Sequence, residues 1–399
     1  MVLPRFAGIR PTAVLKCATP ADVAAALAMA RQRHLPVAVR GGGHCFAGRS
    51  STTGILIDTS PMAGVRLDGG RAVIGAGTRL AEVYDQLGAH GLTIPAGCGP
   101  TVGITGLTLG GGLGILGRRY GLTCDSLLAA TLVLADGRTI EAEADLLWAL
   151  RGGGAPGVVT SLTFATVTAP TCTAFRLSYP SEGAADLLDA WQHSLPDLDE
   201  ATAPSLTITA PAQPRLPPRV TVSGAAPDGT AVSLLRRHLG QKPSAEDQHH
   251  DVLPAVKRWL AAPDGVDRGF AYLHSEFFRA TVPAAELLER LTTDRRPGEE
   301  RELDLTPWGG AYNRPPADAT AFPHRDARFL LKQTATLPAG RQPSRWLEES
   351  YALTHPHGTG GAYPNFPDTD LNAEAYHLTN TDRLRRLRTA YDLASLFIR

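Results

Sequence analysis

The sequence predicts an α+β protein that combines two regions of mixed helices and strands. In residues 1–165, short β-branched runs alternate with segments rich in glycine and alanine, a pattern typical of strands and turns. The strand-like runs are PVAVR, GILIDTS, RAVIGAG, AATLVLADG and GVVTSLTFATV. From about 170 to 350 proline becomes frequent, and strand-like pieces such as SLTITA and RVTVSG alternate with helical ones such as TAVSLLRRHLG. We therefore expect a second α+β domain with several exposed loops.

Two further segments predict helices. TPADVAAALAMARQRH has Thr19 as a predicted N-cap, Pro20 in the first turn and apolar residues at helical spacing. The late stretch NTDRLRRLRTAYDLASLF has leucines at helical spacing, with Thr379 or Asn380 as its predicted cap. Both segments therefore predict amphipathic helices, one near each end of the chain.

Length and charge exclude several classes of protein. The 399 residues, 43% of them hydrophobic, can bury a large core. Lys and Arg total 39, as do Asp and Glu, and no basic run is interleaved with aromatics, so nucleic acid is not a predicted partner. No stretch reaches the ~18 consecutive apolar residues that a membrane span needs, and the start lacks the layout of a secretion signal. We expect a cytoplasmic protein.

Cysteine and histidine patterns do not predict a metal site. The chain has 5 cysteines, an odd number, without a C-x-x-C pair, so neither a disulfide framework nor a zinc knuckle is indicated. The pairs His249, His250 and His355, His357 lack acidic or cysteine partners at ligand spacing. We expect these histidines to lie in solvated loops, and the charged run RRPGEERELD to form an exposed turn.

Glycine is concentrated in residues 40–54 and 97–121. Because glycine lacks a Cβ, such clusters present bare N–H groups to an anion, usually a phosphate. In the second cluster Gly112, Gly114 and Gly117 match G-x-G-x-x-G. The dinucleotide fingerprint also needs a buried strand directly before it, and the preceding GITGLTLGG is too rich in glycine for one. The sequence therefore does not favour a Rossmann site.

A series of motifs, in order, gives the chain a family resemblance. The motifs are RGGGHCFAGRS, PAGCGPTVGITGLTLGGGLGILGRRYGLTCDSLLAATLVLADGR, WALRGGG, GVVTSLTF and AYPNFPDTDL. Together they resemble the berberine bridge enzyme-like flavoproteins, which are FAD-linked oxidases of the wider vanillyl-alcohol oxidase superfamily. The match covers the first 165 residues and about the last 40 well, and the middle only in fragments.

The resemblance implies a fold and its domain limits. We expect a PCMH-type FAD-binding domain of two subdomains, followed by a substrate domain whose antiparallel β-sheet, flanked by helices, covers the isoalloxazine ring. The FAD-binding domain is predicted to span residues 1–168 and the substrate domain residues 169–358. A C-terminal segment, 359–399, is predicted to return to the FAD domain.

The resemblance also implies cofactor contacts. It implies that His44 is bonded covalently to the 8α-methyl carbon of the flavin, while the glycines before it wrap the pyrophosphate. Glycines that direct the chain in this way would hold the imidazole against an electrophilic carbon. A hydrogen-bonded loop histidine is the alternative. The other residues that we predict to bind the cofactor are Arg40, Gly41, Gly42, Gly43, Cys45, Gly48, Ser50, Gly97, Cys98, Thr101, Val102, Gly103, Gly106, Gly110, Gly111, Gly112, Gly114, Tyr120, Asp125, Gly157, Val158, Tyr363 and Asn365.

A second link, from a cysteine to the flavin C6 position, is common in the family. The usual cysteine directly precedes Pro-Thr-Val-Gly, but Gly99 holds that place here and Cys98 comes one residue earlier. Neighbouring side chains of an extended segment point to opposite sides. Cys98 therefore reaches the ring only if the extra glycine bends the loop, whereas Cys45 is expected to point away from it. The remaining cysteines are predicted to be structural: Cys17, Cys124 and Cys172.

The implied chemistry is hydride transfer from a substrate C–H to flavin N5, while a base takes a hydroxyl proton. The predicted catalytic residues are Tyr363 and Asn365 of the Tyr-x-Asn pattern, with Tyr363 as the base, and Tyr312 as its neighbour. A tyrosine base needs its pKa of about 10 lowered, so we expect a cation or a second phenol beside it. For Tyr312, ordinary packing with a satisfied hydroxyl is an equal alternative.

Three functions remain open at this point. We favour an oxidase that acts on an alcohol, a hemiacetal, a sugar or a natural-product intermediate of secondary metabolism and passes two electrons to dioxygen, giving hydrogen peroxide. A dehydrogenase of the same fold, with another acceptor, is the second. A non-redox cyclase or drug-binding resistance protein is the third. The sequence names no substrate.

Overall fold

The strands form sheets of three, two, five and seven strands within the described part of the chain. The structure is a computed structural model, and it describes residues 3–261, 269–368, 370–391 and 396–397. The strands are β1 Ala13–Lys16, β2 Val37–Arg40, β3 Ile55–Asp58, β4 Val65–Asp68, β5 Arg71–Gly75, β6 Leu92–Thr93, β7 Leu127–Leu134, β8 Thr139–Glu141, β9 Gly157–Ala165, β10 Val167–Thr168, β11 Thr171–Tyr179, β12 Ala203–Ala210, β13 Arg219–Ala226, β14 Ala245–Val252, β15 Phe270–Phe278, β16 Glu300–Pro307 and β17 Phe329–Leu337. The helices are α1 Pro20–Gln32, α2 Leu80–Gly88, α3 Ile104–Leu109, α4 Gly117–Tyr120, α5 Ala144–Leu150, α6 Ala184–Ser194, α7 Gly229–Leu239, α8 Leu253–Leu260, α9 Ala284–Thr292, α10 Trp346–Thr354, α11 Ala373–His377 and α12 Thr381–Tyr391. The mixture confirms the predicted α+β class.

The predicted N-terminal elements are confirmed. The five β-branched runs form β2, β3, β5, β7 and β9. Helix α1 begins with a capping box: the Thr19 hydroxyl accepts the Asp22 N–H at 3.2 Å, and the Asp22 carboxylate accepts the Thr19 N–H at 2.9 Å. Strands β1 and β4 escaped prediction because each has only four residues, alternately half-buried and exposed.

Two sheets build the N-terminal region. A parallel sheet has the order β1-β3-β2, and an antiparallel one has the order β4-β5-β9-β7-β8. One apolar cluster joins them, because Val133 of β7 and Val158 of β9 pack with Val37, Ile55 and α1 residue Leu27. The end of the chain adds to the parallel sheet, where the Val37 N–H donates to the Leu396 carbonyl at 3.0 Å. Helix α12 confirms the predicted C-terminal helix, which begins one residue after Asn380, and residues 392–395 lie outside the description.

The seven-stranded sheet is antiparallel, with the order β14-β11-β13-β12-β16-β17-β15. Helices α6, α7, α9 and α10 cover one of its faces, where Leu206, Leu303 and Leu331 belong to one large core cluster. Side chains of a strand alternate between faces, so the polar neighbours of these leucines lie on the opposite face. All seven strands fall within residues 171–337, and the domain limits at 168 and 358 stay predictions.

Two predictions about polar segments need correction. The run RRPGEERELD forms an exposed turn only at its start, around Pro297; it then enters β16, and Glu299 and Arg301 are each only 1% exposed, because both belong to a buried polar cluster with Ser344. His249 and His250 do not lie in a loop, because they belong to the edge strand β14. No helix that the structure describes is long and apolar enough to cross a membrane.

A buried ion pair ties the glycine-rich region to the strand-rich one. Arg325 precedes β17 and binds both carboxylate oxygens of Asp125, at 2.7 and 2.9 Å. Replacing Arg325 with methionine leaves the half-buried carboxylate without its partner, and we expect a loss of about 3–5 kcal/mol in the free energy of unfolding. Chemical denaturation measures this loss. The control is Arg279→Met in the exposed pair with Asp326, which should cost about 1 kcal/mol or less; equal losses in the two variants would contradict the prediction.

Candidate functional site

Two glycine segments that are far apart in the sequence touch at the start of the site. A Cβ on Gly42 would overlap the backbone nitrogen of Gly103, and a Cβ on Gly103 would overlap that of Gly42. Backbone atoms have little freedom to move aside, so both positions require glycine. Gly43 adds a φ of 76°, a conformation that other residues rarely adopt. This close approach directs the chain into His44.

The N–H groups of Gly42 and Gly43 are suited to bind an anion. Both residues are buried, and neither N–H has a hydrogen-bond acceptor among the described residues. A buried N–H group without a partner costs about 1–3 kcal/mol, which an anionic ligand would relieve. Successive N–H groups in a glycine turn form a concave anion site. The pyrophosphate of a dinucleotide therefore fits this turn.

His44 stands between the two segments. It is half-buried, and its Nε2 lies 3.0 Å from the Thr101 hydroxyl. The loop after it is closed by the Arg40 guanidinium, which donates to the Ser50 carbonyl at 3.0 Å. Burial lowers the pKa of Arg40, and the nearby Asp58 carboxylate opposes this effect. At the far end of the loop Gly48 packs its backbone on the Phe6 ring, at a φ of 70°.

The N–H groups of the second glycine cluster are engaged by the protein itself. The N–H groups of Gly112 and Leu113 donate to the Tyr363 hydroxyl oxygen at 3.0 and 2.9 Å. The N–H of Gly114 donates to the Tyr312 hydroxyl oxygen at 3.1 Å. A Cβ on Gly117 would overlap the same Tyr312 hydroxyl. The glycines of the G-x-G-x-x-G match thus serve internal packing, as expected if the match is not a Rossmann fingerprint.

Tyr363 is buried, and three donors converge on its hydroxyl oxygen. The third is the Asn365 side-chain amide, at 3.2 Å, which also donates to the Leu107 carbonyl at 2.9 Å. Gly110 permits this approach, because a Cβ there would overlap Asn365. Burial raises the pKa of Tyr363 to about 12, although the three donors act to lower it. The expectation of a lowered pKa is wrong for this structure, because the ring is enclosed by apolar groups.

Tyr312 does not hydrogen-bond to Tyr363. Its ring stacks on Trp308 with a centroid distance of 4.1 Å, and its hydroxyl donates to the Gly114 carbonyl at 3.0 Å. It is 1% exposed, and burial raises its pKa. These contacts match the packing alternative for Tyr312, and a catalytic role stays a prediction.

Comparisons with known proteins decide the family. A family model described as "FAD binding domain" matches residues 11–143, and one described as "Berberine and berberine like" matches residues 362–398. The chain is 31% identical to the uncharacterized FAD-linked oxidoreductase YgaK of Bacillus subtilis (strain 168), over 97% of this chain and 90% of that protein. The chain belongs to the berberine bridge enzyme-like family of FAD-linked oxidoreductases.

Other members of the berberine bridge enzyme-like family agree with this assignment. The chain is 28% identical to the chitooligosaccharide oxidase of Gibberella zeae, over 97% of this chain and 86% of that protein. The structure of berberine bridge enzyme from Eschscholzia californica matches with a TM-score of 0.86 at 24% identity, covering 100% of this chain and 91% of that chain. The PCMH-type fold is thereby confirmed, and FAD is the cofactor of the family.

The loop that carries Cys98 is bent in this flavoprotein. The Val102 N–H donates to the Gly99 carbonyl at 3.2 Å, which closes a turn directly after Cys98. Strict alternation of side chains therefore does not apply to this segment, and the link from Cys98 to the flavin stays a prediction. Cys98 is half-buried, and burial raises the pKa of its thiol. Cys45, directly after His44, is also half-buried, and its carbonyl accepts the Gly48 N–H at 3.2 Å.

Sequence reasoning missed a charged group on the open face of the seven-stranded sheet. The Lys332 ammonium lies 2.8 Å from the Asp304 carboxylate and 3.6 Å from that of Glu302. The two carboxylates raise the pKa of Lys332, while burial raises the pKa of Glu302 and Lys332 opposes it. The alternation of ERELDLTP, with acidic residues at every second position, was the available signal. It identifies a strand with one polar face.

This charged group lies beside the predicted catalytic tyrosine. The Lys332 ammonium is 5.1 Å from the centroid of the Phe366 ring. Phe366 in turn packs edge-on against Tyr363, at 5.1 Å, and against Phe46, at 5.9 Å. The expected cation does not adjoin the phenol, because the Phe366 ring separates Lys332 from Tyr363. Phe46, two residues after His44, connects the FAD side to the sheet.

Several residues that we predict to bind the cofactor contact other groups of the protein in this structure. Asp125 binds Arg325, Tyr120 packs against the apolar cluster of Leu116 and α8, and Val158 is buried in the core of the N-terminal sheets. Cofactor roles for these residues, and for those in the loops, stay predictions. The remaining positions lie as follows: Gly157 begins β9, Gly111 packs on Phe322, and Gly106 of α3 is exposed with open space around it. No group of three or more His, Cys, Asp or Glu side chains within the described ranges is arranged to hold a metal ion.

Proposed function

We propose that this chain is an oxidase that carries FAD covalently on His44 and oxidises a CH–OH or hemiacetal group of a small molecule, with dioxygen as the electron acceptor. The observation that carries the proposal is the buried glycine turn whose free N–H groups directly precede a half-buried imidazole. An anion bound at Gly42 and Gly43 would leave the ring end of the cofactor within reach of His44. Its position beside the bound cofactor would make this imidazole the nucleophile.

The substrate class follows from the relatives and from the polar sheet face. The similar proteins include a chitooligosaccharide oxidase, a xylooligosaccharide oxidase in complex with xylobiose, and a berberine bridge enzyme variant in complex with (S)-reticuline. In this chain Lys332, Glu302 and Asp304 supply both donors and acceptors on the face that we assign to the substrate. Such a mixed set favours a polyhydroxylated substrate, and we therefore place oligosaccharides first and natural-product alcohols second.

The protein residues have separate roles in the proposed reaction. Bound FAD would supply a hydride acceptor at N5. Tyr363 in its phenolate form would accept the hydroxyl proton of the substrate and become a neutral phenol. The donors on its oxygen, from Gly112, Leu113 and Asn365, would stabilise the phenolate before this transfer. A neutral phenol oxygen has two lone pairs, whereas three donors suit the anionic form better. Lys332 and its two carboxylates would orient the substrate hydroxyls.

A dehydrogenase is the second candidate. A glycine-to-alanine variant of berberine bridge enzyme, whose structure is solved, is a reticuline dehydrogenase. In that protein, therefore, one added methyl group accompanies the dehydrogenase function. Here the open space around Gly106 favours access of dioxygen and hence the oxidase. No described feature favours a non-redox cyclase or a drug-binding resistance protein.

Acid precipitation tests the covalent link. We expect the wild-type pellet to remain yellow after washing, because the flavin stays bonded to the chain. His44→Ala should release essentially all flavin that is not held by a second link, since no other imidazole follows the glycine turn. His90→Ala, in an exposed position, is the control and should leave the pellet yellow. A colourless wild-type pellet would refute the covalent part of the proposal.

Peroxide release tests the acceptor and the substrate. We would assay the purified holoenzyme with chitooligosaccharides, xylobiose and (S)-reticuline, once with dioxygen alone and once with a dye as acceptor. Equal turnover with and without the dye, accompanied by peroxide, supports the oxidase. Turnover that requires the dye identifies a dehydrogenase instead.

A further inference from the structure

A buried lysine joins the substrate side of the molecule to the loop before Cys98. Lys257 belongs to α8 and is 1% exposed. Its ammonium group donates to the Ala96 carbonyl at 3.0 Å and lies 3.5 Å from the centroid of the Tyr84 ring. A buried lysine needs such partners because its charge is strongly disfavoured away from water. Neither the proposed proton transfer nor the glycine turn uses this residue.

Tyr84 holds the same loop from a second helix. It belongs to α2, it is buried, and its hydroxyl donates to the Gly97 carbonyl. The carbonyls of Ala96 and Gly97 are thus both held, by side chains from two different helices, immediately before Cys98. Two residues span about 7 Å at most, so the Lys257 ammonium group is anchored close to the thiol. The turn at Gly99 closes the segment on its other side.

The charges around Cys98 are few. Burial raises the pKa of the Cys98 thiol, and the Lys257 charge opposes it. Burial in turn lowers the pKa of Lys257 to about 7, while Cys98 and Cys172 act against this effect. Tyr84 faces the lysine from α2, and its phenol has a pKa raised by burial. The neighbouring pair Arg258 and Asp85 is exposed, with both side chains 64% accessible, and therefore screened by water.

Cys98 is the thiol that this lysine can prepare for reaction. Cys172 lies on β11 and is 5% exposed within an apolar cluster that includes Leu116 and Leu253. Cys98 instead is half-buried, follows the two anchored carbonyls and precedes the turn that leads to Thr101, the hydrogen-bond partner of His44. The positive charge of an ammonium group beside a thiol favours the thiolate, which is the nucleophilic form of cysteine.

We propose that Lys257 is a positioning residue for Cys98: its ammonium group anchors the Ala96–Cys98 segment and stabilises the thiolate that bonds to the flavin C6 position. The inference rests on the proposed FAD site. The bond that forms joins the Cys98 sulfur to the ring carbon, and the bonds that break are S–H and C6–H. The two hydrogens leave as protons, and the two electrons pass through the flavin to dioxygen, which becomes hydrogen peroxide. One molecule of dioxygen is thus consumed for each link.

Mass spectrometry of the flavinylated peptides tests the proposal. Holoenzyme purified as wild type, Lys257→Met, Lys257→Arg and Cys98→Ser would be digested, and the flavin-bearing peptides of His44 and Cys98 quantified separately. We expect the Cys98 link in the wild type, at least a tenfold lower linked fraction in Lys257→Met, partial recovery in Lys257→Arg, and none in Cys98→Ser. The His44 peptide should carry flavin in all four proteins, which also shows that each variant folds and binds FAD.

A pH series separates electrostatic activation from a purely structural role. Incubating Lys257→Met in air at pH 7 to 10 should restore the link as the pH rises, because bulk base then forms the thiolate. Equal linked fractions in the wild type and Lys257→Met would overturn the proposal, as would a low fraction in Lys257→Met that no pH restores. Absence of the Cys98 link in the wild type would overturn it too, while flavin on the His44 peptide and peroxide release would still support the proposed function.

Discussion

Replacing Tyr363 with phenylalanine is expected to slow flavin reduction by substrate about 10³-fold while FAD stays bound, because the variant loses the proton acceptor but not the ring packing. The ring contacts of Tyr363 with Phe277, Phe322 and Phe366 do not involve its hydroxyl. Removing the Tyr363 hydroxyl also leaves the N–H groups of Gly112 and Leu113 without their acceptor, so the free energy of unfolding should decrease as well. Anaerobic stopped-flow absorbance of the flavin measures the reduction rate directly.

The pH dependence gives a second test of the same assignment. The pKa of Tyr363 is raised to about 12 by burial, so the active phenolate is the minor form at neutral pH. The reduction rate should therefore rise with pH, about tenfold per pH unit, between pH 6 and 9, and this rise should vanish in Tyr363→Phe. If a carboxylate with an ordinary pKa were the base, the rate would already be level in this range. A base is active in its deprotonated form, so a raised pKa moves its active range to higher pH.

Tyr312→Phe is the matched control. It removes a buried phenol hydroxyl from the same aromatic cluster, but one that hydrogen-bonds to Gly114 alone. We expect lower stability, because the two hydrogen bonds with Gly114 are each worth about 1 kcal/mol, and a reduction rate within about threefold of the wild type. A rate in Tyr363→Phe as high as in Tyr312→Phe would show that Tyr363 is not the base.

Replacing Gly42 with alanine is expected to abolish FAD binding. The new Cβ would overlap the backbone nitrogen of Gly103, so the two segments must separate and the turn before His44 must change its path. Overpacking of this kind costs about 1–3 kcal/mol or more, and here the displaced atoms form the cofactor site itself. The 450 nm absorbance per chain measures FAD content, and thermal unfolding measures stability.

Gly8→Ala is the control for this substitution. A Cβ on Gly8 would have no atom within 4 Å, and its backbone lies outside the left-handed region. We expect normal FAD content and unchanged stability in this variant. Retention of full FAD content in Gly42→Ala would refute the assignment of the turn as the pyrophosphate site.

Prediction from the sequence succeeded where a local pattern is also the structural cause. Thr19 and Asp22 cap α1 through contacts within four residues, and the β-branched runs form strands because their alternation is itself the requirement of a half-buried sheet. The prediction for the charged run at residues 295–304 was incomplete for the opposite reason. Arg301 is charged, yet it is buried, because the carbonyls of Thr293 and Asp294 and the hydroxyl of the more distant Ser344 accept its hydrogen bonds.

The candidate site likewise contains residues that the sequence reveals and residues that only the fold brings together. The glycines before His44 and the Tyr-x-Asn pattern are visible in the sequence because each needs a particular residue at one position. The group formed by Lys332, Glu302 and Asp304 is not, since its members come from two strands that pair only in the folded sheet. Lys257 is equally hidden, because its partner Ala96 lies 161 residues away.

The sequence by itself therefore determined the α+β class, the family, the glycine turn and the residues that we propose for the reacting end of the site. Only the tertiary structure decided which N–H groups remain free for an anion, which are taken by Tyr363 and Tyr312, and that Lys332, Glu302 and Asp304 form one charged group. The physical reason is that glycine and cap signals act on their own backbone, whereas hydrogen-bond partners and burial depend on which distant segments meet.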